Sequence, residues 1–242
     1  MKNIKLEISY DGSKFFGFQI QPDVRTVQGE LEEAIKKVTG EDITIISAGR
    51  TDTGVHAKSH VSNFITKNDM PAISYKYKLR LFLSDDIIVQ NSTEVDLDFN
   101  ARYDAKSKTY RYIIYNDRKF YPYFNDYKLH IKHKLDIDKM IEASKLLIGR
   151  HDFSAFMKLG QDKNPVRKID KIDIYKVDKE IYLEFTAKSF LHNQIRIMVG
   201  LLIDIGRGFR EVNYVNEIFE KKIKRAAKTY GPQGLYLIDV KY

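Results

Sequence analysis

The alternation of apolar and polar positions predicts strands and helices in a repeating order. Residues 4–10 alternate apolar with polar side chains, which is typical of a strand with one buried face. Residues 27–38 instead place apolar side chains at helical spacing, with Thr26 as a predicted N-cap and Gly40 as a predicted stop. The first half has predicted strands at 4–10, 43–48, 59–65 and 87–90 and predicted helices at 27–38 and 72–82.

The second half repeats this order with one additional helix. Its predicted strands lie at 108–115, 167–177, 180–187 and 235–241, and its predicted helices at 136–148, 191–205 and 211–222. Each half follows the β-α-β-β-α-β order of ferredoxin-like units. We therefore predict an α+β fold of two ferredoxin-like, RRM-like halves, with antiparallel sheets joined across a central active-site cleft. The N-terminal half is predicted to span 1–103, and a C-terminal half of 104–242 completes the cleft.

The composition favours a nucleic-acid partner. The chain has 41 Lys and Arg against 33 Asp and Glu, a net charge of +8, together with 16 Tyr and 14 Phe. Cations attract phosphates and aromatic rings stack on unpaired bases, although a solvated lysine-rich surface is the alternative. The absence of cysteine excludes disulfides and thiolate chemistry and is typical of a reducing compartment. No segment has the length needed to span a membrane, so we expect no membrane partner. In keeping with the absence of cysteine, we expect a cytoplasmic location.

Residues 49–57, Gly-Arg-Thr-Asp-Thr-Gly-Val-His-Ala, form the most informative segment. Its single carboxylate, Asp52, lies between the cation of Arg50 and Gly54, directly after an apolar, strand-like stretch. A neighbouring arginine favours the charged form of a carboxylate. We therefore expect Asp52 to be ionised at neutral pH and able to attack an electrophilic centre.

Three other interpretations of this segment fit less well. Asp-Thr-Gly at 52–54 matches aspartic proteases, but their mechanism needs two carboxylates sharing a proton and the chain has one such triplet. The glycines at 49 and 54 are spaced as in a P-loop, but Val-His follows them in place of Lys-Ser/Thr. The six histidines lack both a His-Glu-x-x-His pattern and any cysteine, so structural or RNA-facing roles are favoured over a zinc site.

Three further segments combine basic and aromatic residues, at 108–112, 190–196 and 234–237. On the predicted strand, alternation places Tyr110 and Tyr112 on one face. Packing in the core is the alternative role for each of these segments. The basic run at 221–225 either contacts phosphate or forms a solvated helix end.

Taken together, these segments resemble the TruA family of tRNA pseudouridine synthases over nearly the whole chain. The resembling segments are Tyr10-Asp11-Gly12-Ser13, Phe16-Gly17-Phe18-Gln19, Thr26-Val27-Gln28, Gly49-Arg50-Thr51-Asp52, Gly54-Val55-His56-Ala57, Phe99-Asn100-Ala101-Arg102, Tyr110-Arg111-Tyr112, His151-Asp152-Phe153, Pro165-Val166-Arg167, Phe190-Leu191-His192-Asn193, Arg196 and Gly234-Leu235-Tyr236-Leu237. The chain departs from the family at Thr53, where alanine is usual, at Phe18, where tryptophan is common, and at Gln194, where methionine is common. None of these departures removes a reacting group.

The resemblance implies a role for five residues. It implies that Asp52 is the catalytic aspartate, Tyr110 stacks on the uracil, Arg196 pairs with Asp52, Arg50 helps to displace the target base and Leu235 closes the apolar side of the pocket. The implied reaction breaks the C1′–N1 bond of uridine and rejoins the base through C5. Its implied targets are positions 38 to 40 of the tRNA anticodon stem-loop, and the implied enzyme is a homodimer without a metal or organic cofactor. The sequence leaves open whether Asp52 attacks C1′ or C6 or acts as a base.

Two competing functions make different predictions. A non-catalytic RNA-binding module built from RRM-like halves would show the aromatic RNP signature, which the predicted strand 59–65 lacks. An aspartate-dependent nucleoside hydrolase or transferase would release free uracil.

Overall fold

The computed structural model describes residues 1–157 and 164–242. The chain forms two compact units, one of Met1–Lys106 with Tyr236–Tyr242 and one of Ser107–Leu235. The predicted halves of 1–103 and 104–242 differ from these units chiefly in the final strand. That strand belongs to the first unit because it pairs with a strand there and because Lys106 N–H donates to Lys241 O at 2.8 Å.

The first unit follows the predicted βαββαβ order. Its elements are β1 (Lys2–Tyr10), α1 (Val27–Thr39), β2 (Ile46–Ser47), β3 (His56–Thr66), α2 (Ser74–Leu79) and β4 (Ile87–Val95). The second unit contains β5 (Ser107–Tyr115), β6 (Leu129–His130), α3 (Ile137–Leu146), β7 (Gly149–Asp152), β8 (Val166–Val177), β9 (Glu180–Ala187), α4 (Gln194–Gly206) and α5 (Tyr214–Phe219). The last strand is β10 (Leu235–Lys241). The predicted α+β class is therefore confirmed.

Antiparallel pairing builds the sheet of the first unit. β1 lies between β4 and β3 and pairs antiparallel with both. β2 pairs antiparallel with β3, with Ile46 opposite Asn63, and β10 pairs parallel with β3, with Tyr236 opposite His56. A β4-β1-β3-β2 order is that of a split βαβ unit, so the predicted ferredoxin-like order is confirmed for this unit.

The sheet of the second unit has the order β5-β9-β8-β7, with all of these pairs antiparallel. β6 pairs parallel with β5, with Ile114 opposite Leu129. The hairpin between β8 and β9 turns through Asp178, which has a φ of 52°. Tyr110 faces Phe185 across the β5–β9 pair, well away from this turn.

Local chemistry explains the main elements. In β1 the alternating residues Ile4, Leu6 and Ile8 are fully buried, as a half-buried strand requires. Thr26 Oγ1 accepts from Gly29 N–H at the start of α1, and Gly40 ends that helix in the left-handed conformation, so both predicted caps are confirmed. None of the helices in the described part of the chain combines the length and the apolarity that a membrane crossing needs.

Several predicted elements have different bounds in the structure. The predicted strand at 43–48 is limited to Ile46–Ser47, and the predicted helix at 211–222 is limited to Tyr214–Phe219. In both cases the apolar pattern in the sequence continues beyond the last residue that makes the hydrogen bonds of the strand or helix. The pattern therefore predicts a longer element than the structure contains. Two short strands, β6 and β7, carry too few residues to show any periodicity and were not predicted.

Candidate active site

Asp52 lies on a loop that connects β2 to β3 in the first unit. The loop begins where Ala48 N–H donates to Val61 O at 2.8 Å and ends where Val55 N–H donates to Asp52 O at 3.1 Å. Asp52 is half-buried and Arg50 is exposed on the same loop. The acid and the cation of this motif therefore lie two residues apart on one loop, and their joint role stays a prediction.

Thr51 fixes the backbone immediately before Asp52. Its side chain is buried, and its Oγ1 lies 2.9 Å from the hydroxyl oxygen of Tyr10 in a buried hydrogen bond. Its carbonyl oxygen accepts from Phe18 N–H at 3.1 Å. Hydrogen bonds hold both the side chain and the carbonyl of Thr51. The backbone that carries the Asp52 side chain is therefore rigid.

Gly17 allows a second loop to pass directly against the Asp52 loop. It has a φ of +91°, and a Cβ there would lie 2.9 Å from Thr51 O and 3.3 Å from Thr53 N. Both neighbours are backbone atoms that cannot rotate away. This close approach explains a glycine at position 17.

We expect Gly17→Ala to lower both stability and activity, whereas Gly40→Ala lowers stability alone. Gly40 has a similar φ of +78° but no atom within 4 Å of a new Cβ. Each change should cost about 1–3 kcal/mol through backbone strain, and a further loss is expected at Gly17 from the backbone contact. Thermal melts and turnover assays of the two variants check this. Equal activity in both would show that the Asp52 loop does not depend on Gly17.

His60 supports the start of the same loop, and His56 directly follows its end. His60 Nε2 lies 2.9 Å from Gly49 O, and its ring stacks on Phe18 with centroids 4.3 Å apart. His56 Nδ1 lies 3.1 Å from Gly12 N, and its ring stacks on Tyr236. These contacts favour the structural interpretation of the histidines. Within residues 1–157 and 164–242, no group of three His, Asp or Glu side chains is placed to hold a metal ion.

In the second unit, Tyr110 and Tyr112 lie on the buried face of β5, as alternation predicted. The Tyr110 ring meets the Phe190 ring edge-on, with centroids 5.4 Å apart. The Tyr112 hydroxyl donates to Gly231 O at 2.7 Å, and burial raises the pKa of Tyr112, so this hydroxyl stays a neutral donor. Arg111, between them, is only partly buried and binds Glu184.

Arg196 lies in the first turn of α4, and its guanidinium is oriented by two hydrogen bonds. Its Nε donates to Tyr230 O at 2.7 Å and its Nη1 donates to Asn193 Oδ1 at 2.9 Å. Asn193 precedes α4 in the left-handed conformation, with a φ of 65°. Asparagine tolerates that conformation better than most residues, which places its side chain beside the first turn.

The segment 230–235 joins these parts of the second unit. Its carbonyls at Tyr230 and Gly231 bind Arg196 and Tyr112. At Gly234 a Cβ would lie 2.9 Å from the Tyr112 ring, so only glycine fits against it. Leu235 follows, buried, with its N–H donating to a carbonyl of the same segment at 2.8 Å.

The structure therefore places the five predicted residues in two groups. Arg50 and Asp52 lie on one loop of the first unit. In the second unit, Arg196 binds the segment 230–235, which contains Leu235 and lies beside the strand of Tyr110. Sequence reasoning missed the part played by the Tyr230 carbonyl. A backbone acceptor leaves no residue-type signal, so no pattern could have indicated it.

The basic run at 221–225 gives less support to a phosphate role. Lys221 pairs with Asp152 at 3.1 Å and Lys222 pairs with Glu220 at 2.6 Å. Both lysines lie just beyond α5, which ends at Phe219. Their carboxylate partners favour the interpretation of this run as a solvated surface.

Comparison with known proteins agrees with the sequence motifs. Residues 8–104 and 143–242 match the sequence pattern of the family described as tRNA pseudouridine synthase. A tRNA pseudouridine synthase A of Finegoldia magna is 47% identical over 244 residues, covering 100% of both chains. That of Acetivibrio thermocellus is 43% identical over 244 residues, again covering 100% of both. The resemblance found in the motifs is confirmed, and the chain belongs to the TruA family of tRNA pseudouridine synthases.

Proposed function

We propose that this chain isomerises uridine to pseudouridine in tRNA with Asp52 as the catalytic carboxylate. The observation that carries the proposal is the half-buried Asp52 on a loop fixed by the Thr51 contacts. A carboxylate held on a rigid backbone needs little reorganisation before it reacts. The family supplies the reaction class, an isomerisation without net gain or loss of atoms.

The chemistry sets three requirements for the site. The C1′–N1 bond must break, the uracil must turn while it is retained, and C1′ must bond to C5, which then loses its proton. Asp52 meets the first requirement either by attacking carbon or by acting as a base on the sugar. The C5 proton can pass to Tyr110, to water or to a phosphate.

Tyr110 and Leu235 are proposed to hold the detached uracil. Both side chains are buried in the second unit, where an aromatic ring and an aliphatic side chain can exclude water from a base. Stacking on a ring retains the base without fixing its rotation, which the reaction requires. The edge-on contact of Phe190 with Tyr110 supports this role because it keeps the tyrosine ring in one orientation.

Arg196 is proposed to keep the Asp52 carboxylate charged, and Arg50 is proposed to help displace the target base. We propose that Arg196 pairs with Asp52 and holds it ionised. Its fixed Nε and Nη1 hydrogen bonds support this role because they set the plane of the guanidinium in advance. Arg50 is exposed and makes no ion pair with any carboxylate in residues 1–157 or 164–242, which suits a side chain that replaces an extruded base. Extrusion costs a few kcal/mol, and such contacts offset it.

The finer assignment follows the family resemblance. We propose that the targets are uridines 38 to 40 of the anticodon stem-loop, that the enzyme acts as a homodimer in the cytoplasm and that it needs no metal or organic cofactor. Incubating the purified, chelator-treated protein with unmodified tRNA and mapping pseudouridine tests this assignment. Product at 38 to 40 is expected. Product only elsewhere would contradict the assigned positions, and release of free uracil would favour the hydrolase alternative.

Tyr110→Ala is expected to lower turnover without changing how tRNA binding responds to salt. Stacking of one base on a ring contributes roughly 1–3 kcal/mol, whereas each RNA phosphate contact contributes about 0.7–0.9 to the log–log salt slope. Titrations and turnover assays at several salt concentrations separate the two effects. Tyr175→Ala, which removes a half-exposed tyrosine of β8, is the control. A changed slope in Tyr110→Ala would place Tyr110 on the phosphate-binding surface.

A further inference from the structure

The second unit carries an open, cationic pocket that takes no part in the site described above. Its volume is about 340 Å³, and it is lined by Asn116, Asp117, Arg118, Lys132, His133, Lys134 and Lys176. Three parts of the chain supply these residues: the end of β5, the segment after β6 and the end of β8. None of them belongs to the motifs that carry the family resemblance.

Asn116 holds the three parts of the pocket together. Its side-chain amide donates to Ile131 O at 2.8 Å and to His133 O at 2.7 Å. Its backbone N–H donates to Lys179 O at 2.7 Å, next to the turn between β8 and β9. The walls of the pocket are therefore fixed before any ligand binds, which reduces the entropy lost on binding.

Ring packing fixes the connection between β5 and β6 as well. The Phe120 ring stacks on His130 with centroids 4.3 Å apart, and the Tyr115 ring lies 5.2 Å from that of Phe124. These contacts hold the segment that leads from one wall of the pocket to the next.

This pocket gathers several cations and one acid. Its four cations, Arg118, Lys132, Lys134 and Lys176, are exposed, and none pairs with a carboxylate in the described ranges 1–157 and 164–242. The carboxylate in its wall, Asp117, binds Lys179 at 2.9 Å, and this hydrogen bond lowers the pKa of Asp117. Lys179 thus neutralises the acid of the pocket and leaves the cations to an external anion.

The same strand offers a contrast. On β8, Lys168 pairs with Asp170 at 3.0 Å and Lys171 pairs with Asp173 at 2.7 Å, whereas Lys176 has no such partner. Lys168 and Lys171 therefore already have carboxylate partners, whereas Lys176, with the same charge and similar exposure, is left to bind an external anion.

We propose that this pocket binds a phosphate of the tRNA backbone at a point remote from the target uridine. The proposal rests on the proposed function, because that function supplies the polyanionic ligand. Asn116 directly follows β5, which carries Tyr110, so the two lie about 20 Å apart at about 3.3 Å per strand residue. A phosphate at that distance is several nucleotides from the reacting base. The pocket therefore contributes to binding and register, while the chemistry of the uridine is independent of it.

Two double variants with equal charge loss test the proposal. Lys132→Ala/Lys176→Ala removes two cations of the pocket, and Lys168→Ala/Lys171→Ala removes two cations that are already paired. The first is expected to weaken tRNA binding and to lower the log–log salt slope by about 1–2, with turnover at saturating tRNA unchanged. The second should keep the wild-type slope. Equal slopes in the two variants, or a loss of saturated turnover in the first, would overturn the proposal.

Two further measurements separate the possible sources of failure. The binding titrations are repeated in the Asp52→Asn background, where affinity is measured without any isomerisation. A slope difference that persists there supports the pocket even if wild-type protein forms no pseudouridine, which would count against the proposed function alone. Inorganic phosphate is titrated by calorimetry at constant ionic strength. Saturable phosphate binding that Lys132→Ala/Lys176→Ala abolishes, with tRNA affinity unchanged, would assign the pocket to a free anion and overturn the RNA assignment.

Discussion

Asp52→Asn is expected to abolish pseudouridine formation while tRNA binding stays close to that of the wild type. The amide keeps the shape of the side chain but cannot act as a nucleophile or as a base. Loss of a catalytic nucleophile costs about four to six orders of magnitude in turnover. Because the loop is fixed through Thr51 and Gly17, the substitution leaves its backbone contacts in place. Product formation and tRNA affinity are measured in parallel.

Asp42→Asn is the matched control for this prediction. Asp42 is an exposed carboxylate of the first unit that pairs with Lys36 at the surface. Its removal changes the net charge by the same amount as Asp52→Asn, with no expected effect on turnover. Normal turnover in Asp52→Asn, or equal losses in the two variants, would contradict the catalytic assignment.

Arg196→Met is expected to lower turnover by about tenfold to a hundredfold, the equivalent of the roughly 1.5–3 kcal/mol that hydrogen bonds to a charged group contribute. Arg196→Lys should restore only part of this loss. Lysine keeps the charge but lacks the planar fork with which one guanidinium binds Tyr230 O and Asn193 Oδ1 and, as proposed, the Asp52 carboxylate as well. Turnover of both variants at saturating tRNA is the measurement.

Arg111→Met controls for general effects of losing an arginine from the second unit. Arg111 also makes two side-chain hydrogen bonds, both to Glu184. Thermal melts should show similar destabilisation for the Arg196 and Arg111 variants, and turnover should separate them. Full rescue by Arg196→Lys would show that a point charge suffices and that the guanidinium geometry has no role.

The long elements of this fold could be predicted because their patterns are long. The alternation in β1 and the helical spacing in α1, with Thr26 and Gly40 as its caps, are set by which side chains each element buries. The bounds of β9 and β10 agree with the predicted ranges for the same reason. The pairing of β10 with β3 could not be predicted, because strand partners depend on the path of the whole chain.

Some features of the candidate site were visible in the sequence and others were not. Asp52 and Arg50 could be proposed as site residues because reactive residue types at short spacing on one loop are visible in the sequence, and their roles stay predictions. The Tyr230 carbonyl that orients Arg196 was not visible, since every residue carries the same backbone acceptor. The cationic pocket was also missed. Its lysines lie far apart in the sequence, and strand pairing together with the hydrogen bonds of Asn116 brings Lys132 and Lys176 to one place.

The most direct test of Asp52-dependent isomerisation follows the C5 hydrogen of the target uridine. In tRNA labelled with tritium at C5 of uridine, bonding of C5 to C1′ must release the label to water. The wild-type protein is expected to release tritium in equal amount to the pseudouridine formed, with no free uracil, and Asp52→Asn is expected to release none. Labelled free uracil, or tritium release that continues in Asp52→Asn, would contradict the account.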